Sequence, residues 1–151
     1  MRKYISIIAC FCLIAVNVKA QSTEDSVKAL INKLIAAMKN GDSKAVLECF
    51  NEAGILQTVE EKDGRVSVKT EDIKEFADFV GAQKQGDADG RISFDTVKTD
   101  GALAIAWTLY QFYYKGQFSH CGVDSYQLVR INGEWKIQYI IDTRRKANCG
   151  N

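Results

Sequence analysis

The chain has 151 residues, of which 46% are hydrophobic, and its formal net charge is +1. This length suits one domain with its own apolar core. The balanced charge lacks the basic excess of nucleic-acid-binding proteins, so we expect no nucleic-acid partner. The one cluster of basic residues, at 144–146, is a short run near the end of the sequence, of a kind that is usually solvated.

The first twenty residues have the features of an export signal. Residues 1–3 are short and basic, residues 4–18 are almost continuously apolar, and Val18-Lys19-Ala20 offers small residues for cleavage. The apolar run is shorter than the roughly 20 residues that a membrane-spanning helix needs. We therefore predict a signal peptide over 1–20, a single domain over 21–151, a periplasmic or secreted location, and no membrane contact after cleavage.

Apolar residues then recur at helical spacing. The pattern predicts a first helix from residue 22, capped by Ser22 or Thr23 and ended by Gly41. A second, shorter helix follows a cap at Asp42 or Ser43. The apolar face of the first helix comprises Val27, Leu30, Ile31, Leu34, Ile35 and Met38.

A small hairpin and a third helix come next. Residues 55–60 and 65–69 flank Asp63-Gly64, which favours a tight turn. Thr70 is predicted to cap a helix that ends at Gly81, and residues 84–90 are predicted to form a polar loop. The buried face of that helix would be Ile73, Phe76, Ala77 and Val80.

From Arg91 the apolar residues alternate, which is typical of strands. Asp-Gly and Asn-Gly pairs favour tight hairpin turns because both central positions need positive φ. The pattern predicts four strands, at 91–99, 102–114, 117–131 and 134–143, joined at Asp100-Gly101, Lys115-Gly116 and Asn132-Gly133.

The three turns also predict which side chains share a face of the sheet. Opposed residues lie on one face, and a slip of one residue would move every side chain to the other face. All three predicted registers agree. The predicted inner face carries Ile92, Phe94, Leu103, Ile105, Trp107, Leu109, Tyr126, Leu128, Trp135, Ile137, Tyr139 and Ile141.

Polar side chains fall on the same predicted face, where an unpaired buried charge would be costly. We interpret them as the polar part of a pocket for a small apolar or aromatic molecule. In the alternative interpretation Asp124 is a hydrogen-bonded core residue and His120 is half exposed at the rim. The predicted ligand-binding residues are Trp107, Gln111, His120, Asp124, Tyr126 and Tyr139.

Asp124 and His120 are also the candidates for a catalytic acid or base in a cofactor-free isomerase or dehydratase. Four residues apart on a strand, they would be separated by about 13 Å, so contact would need a bulge, for which Gly122 is the expected place. The sequence leaves three functions open. These are a ligand-binding protein, an enzyme, and a dimeric interaction module whose cavity is filled by Met38, Phe76 or Phe79.

The other predicted face of the sheet is also partly apolar. It would carry Ala104, Ala106 and Tyr110 of the long second strand, with Val129 and Ile140 from later strands. We expect a homodimer packed through this face. Scattered apolar residues on a solvated sheet are the alternative.

Three cysteines follow the predicted cleavage site: Cys49, Cys121 and Cys149. Export would allow one disulfide, and Cys149 is its favoured member because its terminal position is mobile. Otherwise Cys49 and Cys121 are small buried apolar residues. No Cys/His spacing resembles a zinc site, so we expect no metal and no other cofactor.

The order of elements resembles the nuclear transport factor 2-like superfamily, in its SnoaL-like and ketosteroid isomerase-like branch. The resemblance covers residues 22–146 and is carried by the 132–137 segment Asn-Gly-Glu-Trp-Lys-Ile and by the opening Glu-Asp-Ser-Val-Lys helix at 24–28. Residues 118–123 and 142–145 resemble a secreted bacterial subgroup.

This resemblance implies an α+β fold in which three N-terminal helices pack on a strongly curved antiparallel sheet, forming a cone-shaped α+β barrel with a ligand cavity. It also implies frequent dimers through the sheet. The superfamily includes enzymes and pure binding proteins, so the resemblance alone does not select a function. Its steroid isomerases use a tyrosine that would lie in the first helix, and this sequence has no tyrosine there.

Overall fold

The computed structural model describes residues 22–149, which form three helices on one six-stranded sheet. The predicted signal peptide lies outside these residues and stays a prediction. None of the helices within 22–149 has the length and apolar character needed to cross a membrane. The elements are α1 (Thr23–Asn40), α2 (Ser43–Cys49), β1 (Phe50–Lys62), β2 (Arg65–Glu71), α3 (Ile73–Gly81), β3 (Ala88–Asp100), β4 (Leu103–Tyr114), β5 (Gln117–Ile131) and β6 (Glu134–Thr143).

Side-chain caps define the starts of the helices. The Ser22 hydroxyl accepts a hydrogen bond from the Asp25 amide (3.0 Å), and Gly41 ends α1 with a positive φ of 67°. The start of α3 differs from the prediction. Its cap is Asp72, which accepts hydrogen bonds from two backbone amides of the first turn, while Thr70 is the penultimate residue of β2.

The sheet is open and mixed, with strand order β2-β1-β6-β5-β4-β3. The predicted α+β class is confirmed. The sheet is not wholly antiparallel, because β1 runs parallel to β6, and it is not closed into a barrel, because β2 and β3 form its two separate edges. The reason is topological: the first hairpin adds to the free edge of the last strand. The segment containing α3 then carries the chain to the opposite edge of the sheet, where β3 begins.

Three irregularities in strand pairing change the predicted faces of the sheet. The turns at Lys115-Gly116 and Asn132-Gly133 form as predicted, with positive φ at all four residues. However, Asp100 pairs with Leu103, so the first turn is Gly101-Ala102 and not the predicted Asp100-Gly101. In addition, one extra residue interrupts the strand pairing at each of three positions: Asp95, Ser119 and Gln138. Each insertion moves the side chains beyond it to the opposite face.

The predicted inner face is therefore wrong for all of β4 and for the second half of β6. The buried residues of β4 are the small or polar ones, Ala104, Ala106, Thr108 and Tyr110. Trp107 lies on the outer face and is 44% exposed. The same outer face carries Leu103, Ile105, Leu109, Tyr139 and Ile141, whereas Ile92, Phe94, Tyr126, Leu128, Trp135 and Ile137 face inward as predicted.

The core forms where α1 packs on the inner face of the sheet. Val27 and Ile31 of α1 are fully buried, as are Leu128 and Ile137 of the sheet. Each such side chain contributes about 1.5–3 kcal/mol when it is removed from water. The Trp135 indole N–H also donates to the Ser26 hydroxyl (3.0 Å), which ties the start of α1 to β6.

A disulfide joins β5 to the C-terminal segment. It links Cys121 with Cys149, and beside it the backbones of Cys121 and Arg145 exchange two hydrogen bonds of 2.9 Å. Cys49 is a free, buried thiol that donates to the Ala45 carbonyl (3.2 Å). The structure thus selects one pairing among those that the sequence left open.

Replacing Cys149 by serine should remove this cross-link and destabilise the protein. For a sequence separation of 28 residues, the chain-entropy model gives roughly 3.5 kcal/mol. The melting temperature of Cys149→Ser should therefore fall and should no longer respond to dithiothreitol, whereas that of the wild type should. Three titratable thiols in the oxidised wild-type chain from residue 21 onward would contradict this pairing.

Candidate functional site

A cavity of about 280 Å³ lies between the C-terminal half of α1, α3 and the inner face of the sheet. This volume is close to the lower end of the roughly 300–1,000 Å³ that ligand pockets occupy. Met38, Phe76 and Phe79 line the cavity and leave it open. Its polar lining residues are Glu71, Tyr110, His120, Asp124, Tyr126, Asp142 and Arg144, and the remaining lining is apolar.

Asp124 projects from β5 into this cavity and receives two hydroxyl donors. Thr108 (3.0 Å) and Tyr126 (3.2 Å) both donate to its Oδ2 atom. Burial, followed by the nearby Asp142 carboxylate, raises the pKa of Asp124 to about 7. The two donors oppose this shift only partly, because desolvation penalises the charged form more strongly. Asp124 can therefore gain or lose a proton near neutral pH.

Asp142 lies directly opposite Asp124 in the pairing of β5 with β6. Its Oδ2 atom accepts a hydrogen bond from Arg144 Nε (2.9 Å) and lies 3.1 Å from the Tyr110 hydroxyl. Its Oδ1 atom is buried and has no hydrogen-bond partner among the described residues. A buried carboxylate oxygen without a donor is costly, which makes Asp142 an unusual feature of this cavity.

Tyr110 connects the cavity floor to the end of β6. Its hydroxyl donates to the Thr143 carbonyl (2.8 Å), and its pKa is raised, first by burial and then by Asp142. Gly122 makes this approach possible, because a Cβ atom there would lie 1.8 Å from the Thr143 oxygen. The prediction of a bulge at Gly122 is wrong: the insertion is at Ser119.

His120 lines the same cavity but does not form a dyad with Asp124. Its Nδ1 atom lies 3.0 Å from the Ser119 hydroxyl, and its ring packs against those of Tyr110 and Phe112. Burial, followed by the positive charge of Arg144, lowers the pKa of His120 below 6.5. The imidazole is therefore mainly neutral at pH 7.

The structure brings half of the predicted site residues together. His120, Asp124 and Tyr126 line the cavity, and their roles in binding stay predictions. Trp107, Gln111 and Tyr139 lie on the outer face, so the expectation that they point into the pocket is wrong. There the Tyr139 hydroxyl donates to Gln57 (2.7 Å), and Gln111 accepts from Tyr113 (3.2 Å).

Sequence reasoning missed four polar lining residues: Glu71, Tyr110, Asp142 and Arg144. Strict alternation placed Tyr110 on the wrong face because the insertions were not anticipated. A usable signal existed at Asp142, since a carboxylate that directly follows Ile140-Ile141 on a buried strand demands a partner. Glu71 was assigned to a helix and Arg144 to a basic run.

Comparisons with known proteins place this geometry in a family. A family model described as "Putative lumazine-binding" matches residues 22–139. An NTF-2 like protein of unknown function from Silicibacter pomeroyi has a similar structure, with a TM-score of 0.58 and 18% identity over 80% of this chain and 93% of that chain. An NTF2-like protein of unknown function from Shewanella baltica is also similar, with a TM-score of 0.62 and 13% identity over 81% of this chain and 93% of that chain.

A domain of unknown function with a cystatin-like fold from Nostoc punctiforme is also similar, with a TM-score of 0.64 and 19% identity over 83% of this chain and 78% of that chain. A search of curated proteins finds no significant match. At these identities the structural matches show the fold alone, whereas the family model spans most of the sequence. The chain belongs to the family that this model describes, within the nuclear transport factor 2-like superfamily.

Proposed function

We propose that this protein is an exported small-molecule-binding protein whose ligand occupies the cavity between α1, α3 and the sheet. The observation that carries the proposal is an open, mostly apolar cavity with two facing carboxylates, Asp124 and Asp142, on its floor. The family description adds lumazine, a planar heterocycle with ring N–H donors, as a candidate ligand type. The Cys121–Cys149 disulfide supports export, since disulfides persist in oxidising compartments.

A second candidate function is cofactor-free proton transfer, as in an isomerase or a dehydratase. Asp124 is the observation that favours it, because a carboxyl group whose pKa is about 7 can act as acid or base at neutral pH. Neutral His120 offers a second proton-transfer group in the same cavity. Binding is the primary proposal because it requires only the cavity and its lining.

Filling the cavity should abolish ligand binding. Gly90 lines the cavity, and a Cβ atom there would make ordinary contact with Ile35 at 3.6 Å. We expect lumazine, or indole as an apolar aromatic probe, to raise the melting temperature of the wild type but not that of Gly90→Val. Ser93→Val is the matched control, since it adds the same side chain to an exposed position of β3.

Native mass spectrometry of the same three proteins should show retained ligand only in the wild type and in Ser93→Val. Equal thermal shifts in Gly90→Val and the wild type would place binding elsewhere. No shift with either probe and no retained ligand in the wild type would overturn the proposal.

The protonation of Asp124 should also affect stability. The pKa of Asp124 is about 7 in the folded state against an ordinary value of 3.8. Because the unfolded state loses this proton first, stability should fall as pH rises from about 4 to 7 and then level off. Asp124→Asn removes this loss. Between pH 5 and pH 8, its free energy of unfolding should therefore rise relative to that of the wild type by up to about 3 kcal/mol.

Urea unfolding at both pH values measures this difference. Asp89→Asn is the control, since Lys39 and then Arg91 lower the pKa of Asp89 and its removal should instead cost stability at pH 8. A wild-type to Asp124→Asn difference that is independent of pH would show that Asp124 is ionised throughout this range.

The outer face of the sheet supports a homodimer. All three helices pack on the inner face, and the uncovered face carries half-exposed Leu103 (50%), Ile105 (44%), Trp107 (44%) and Ile131 (41%). These side chains come from two neighbouring strands, β4 and β5, and so form one surface. Exposed apolar side chains grouped on one face favour an interaction site there, and a second copy of the chain offers the same surface in return.

A charge on this surface should separate the dimer. We expect native mass spectrometry to show a dimer for the wild type and a monomer for Ile105→Glu. Leu47→Glu is the matched control, because Leu47 is 43% exposed but lies on α2, on the other side of the sheet. A monomeric wild type, or a dimer that persists in Ile105→Glu, would contradict packing through this face.

A further inference from the structure

Asp142 is the starting point for a more specific statement about the ligand. Its side chain is 8% exposed and borders the cavity, and no described residue donates a hydrogen bond to its Oδ1 atom. Arg144 and Tyr110, which could supply donors, both lie at Oδ2 instead. Oδ1 is shielded in this conformation, and because the terminal torsion of a carboxylate is broad, a rotation of the carboxylate presents it to a donor in the cavity.

The charges around the cavity favour a cation. In the described part of the chain, three acidic side chains line it, Glu71, Asp124 and Asp142, against the single guanidinium of Arg144. Arg144 is already engaged by Asp142 at 2.9 Å and approaches Glu71 at 3.9 Å. An excess of acidic groups in a cleft with apolar walls attracts positive charge and repels an anionic ligand.

The remaining lining residues indicate the size and the apolar character of the rest of the ligand. The α1 and α3 walls are Leu34, Ile35, Met38, Phe76 and Phe79, which offer apolar and aromatic contacts and no hydrogen-bonding side chain. A volume of about 280 Å³ admits a compact molecule of one or two rings. All polar lining residues therefore come from the sheet and from the segment after β6, whereas the helix walls are apolar.

We infer that the ligand carries a cationic nitrogen donor, such as an amidinium or ammonium group, which binds the Oδ1 atom of Asp142 while an apolar or aromatic body packs against α1 and α3. The inference rests on the proposed ligand-binding function. It assigns to Asp142 the anchoring role that the sequence analysis gave to other residues.

Three probes with the same ring separate charge from size: benzamidine, benzamide and benzoate. Calorimetric titration of the wild type at pH 7 should give the affinity order benzamidine, benzamide, benzoate, with at least about tenfold between the first two. This ranking needs no substitution, so it tests the inference even where a variant fails to fold.

Asp142→Asn should reverse the preference for benzamidine over benzoate rather than only weaken the binding of benzamidine. Arg144 can only donate, so it requires an acceptor at the position of Oδ2 and orients the new carboxamide with its oxygen toward the guanidinium. Its NH₂ group then takes the position of Oδ1, where it cannot accept a hydrogen bond from a donor of the ligand but can donate one to an acceptor of the ligand. Benzamidine should lose at least about tenfold in affinity, and benzoate should gain.

Asp89→Asn is the matched control, since it removes another buried, ion-paired carboxylate that does not line the cavity. Its affinities should equal those of the wild type. If benzamide binds as tightly as benzamidine, or if benzoate binds best, the cation inference is overturned while ligand binding in the cavity stands. If none of the three probes binds, and lumazine and indole give no thermal shift, both the cation inference and the proposed ligand-binding function are overturned.

Discussion

The facing of two carboxylates across adjacent strands is the constraint on which the chemistry of this cavity depends. Asp124 and Asp142 are register partners, and side chains in such positions lie about 5 Å apart at Cβ. Two negative charges at that distance in an apolar surrounding repel each other strongly. Separate hydrogen-bond donors stabilise the two carboxyl groups: Thr108 and Tyr126 donate to Asp124, and Arg144 donates to Asp142. Burial, followed by this repulsion, raises the pKa of Asp124 to about 7.

The strand insertions decide which residues can take part in this arrangement. Without the extra residue at Gln138, the inward side of β6 would continue from Ile137 to Tyr139 and Ile141, and Asp142 would point outward. With it, Ile140 and Asp142 turn inward beside Tyr126 and Asp124. A single inserted residue thus replaces Tyr139 and Ile141 by Ile140 and Asp142 on the inward side of β6, which puts a carboxylate opposite Asp124.

Local sequence signals predicted the elements well because each depends on a few neighbouring residues. Ser22 and Gly41 bound α1 as expected, and Lys115-Gly116 and Asn132-Gly133 form the turns that their φ preferences demand. The register beyond those turns was not predictable in this way. An insertion depends on how the whole strand fits its neighbours, and Asp95, Ser119 and Gln138 carry no local mark of it. Of the predicted site residues, those of β5 accordingly line the cavity, whereas those of β4 and β6 lie on the other face of the sheet.

Hydrophobicity was a misleading guide on β4 for a physical reason. The strand alternates small and large apolar residues, and the natural expectation is that the large ones face the core. Here Ala104 and Ala106 face inward, beside the bulky side chains of Tyr126 and Leu128 from the neighbouring strand. Large residues in those two positions would overfill the interior. The larger Ile105 and Trp107 are thereby left on the uncovered side of the sheet, where a second copy of the chain could use them.

The C-terminal segment links this architecture to the cavity. Arg144 is the one cation within residues 22–149 that lines it, and it lies just beyond the end of β6, where the backbone is no longer held by a full strand ladder. Three contacts with β4 and β5 replace that ladder: the Tyr110 hydroxyl on Thr143, the backbone pair of Cys121 with Arg145, and the disulfide to Cys149. Since Gly122 must be small for the first contact to form, the position of Arg144 is set by the tail and by β5 together. The charge balance of the cavity therefore depends on how the C-terminal segment is held against β4 and β5.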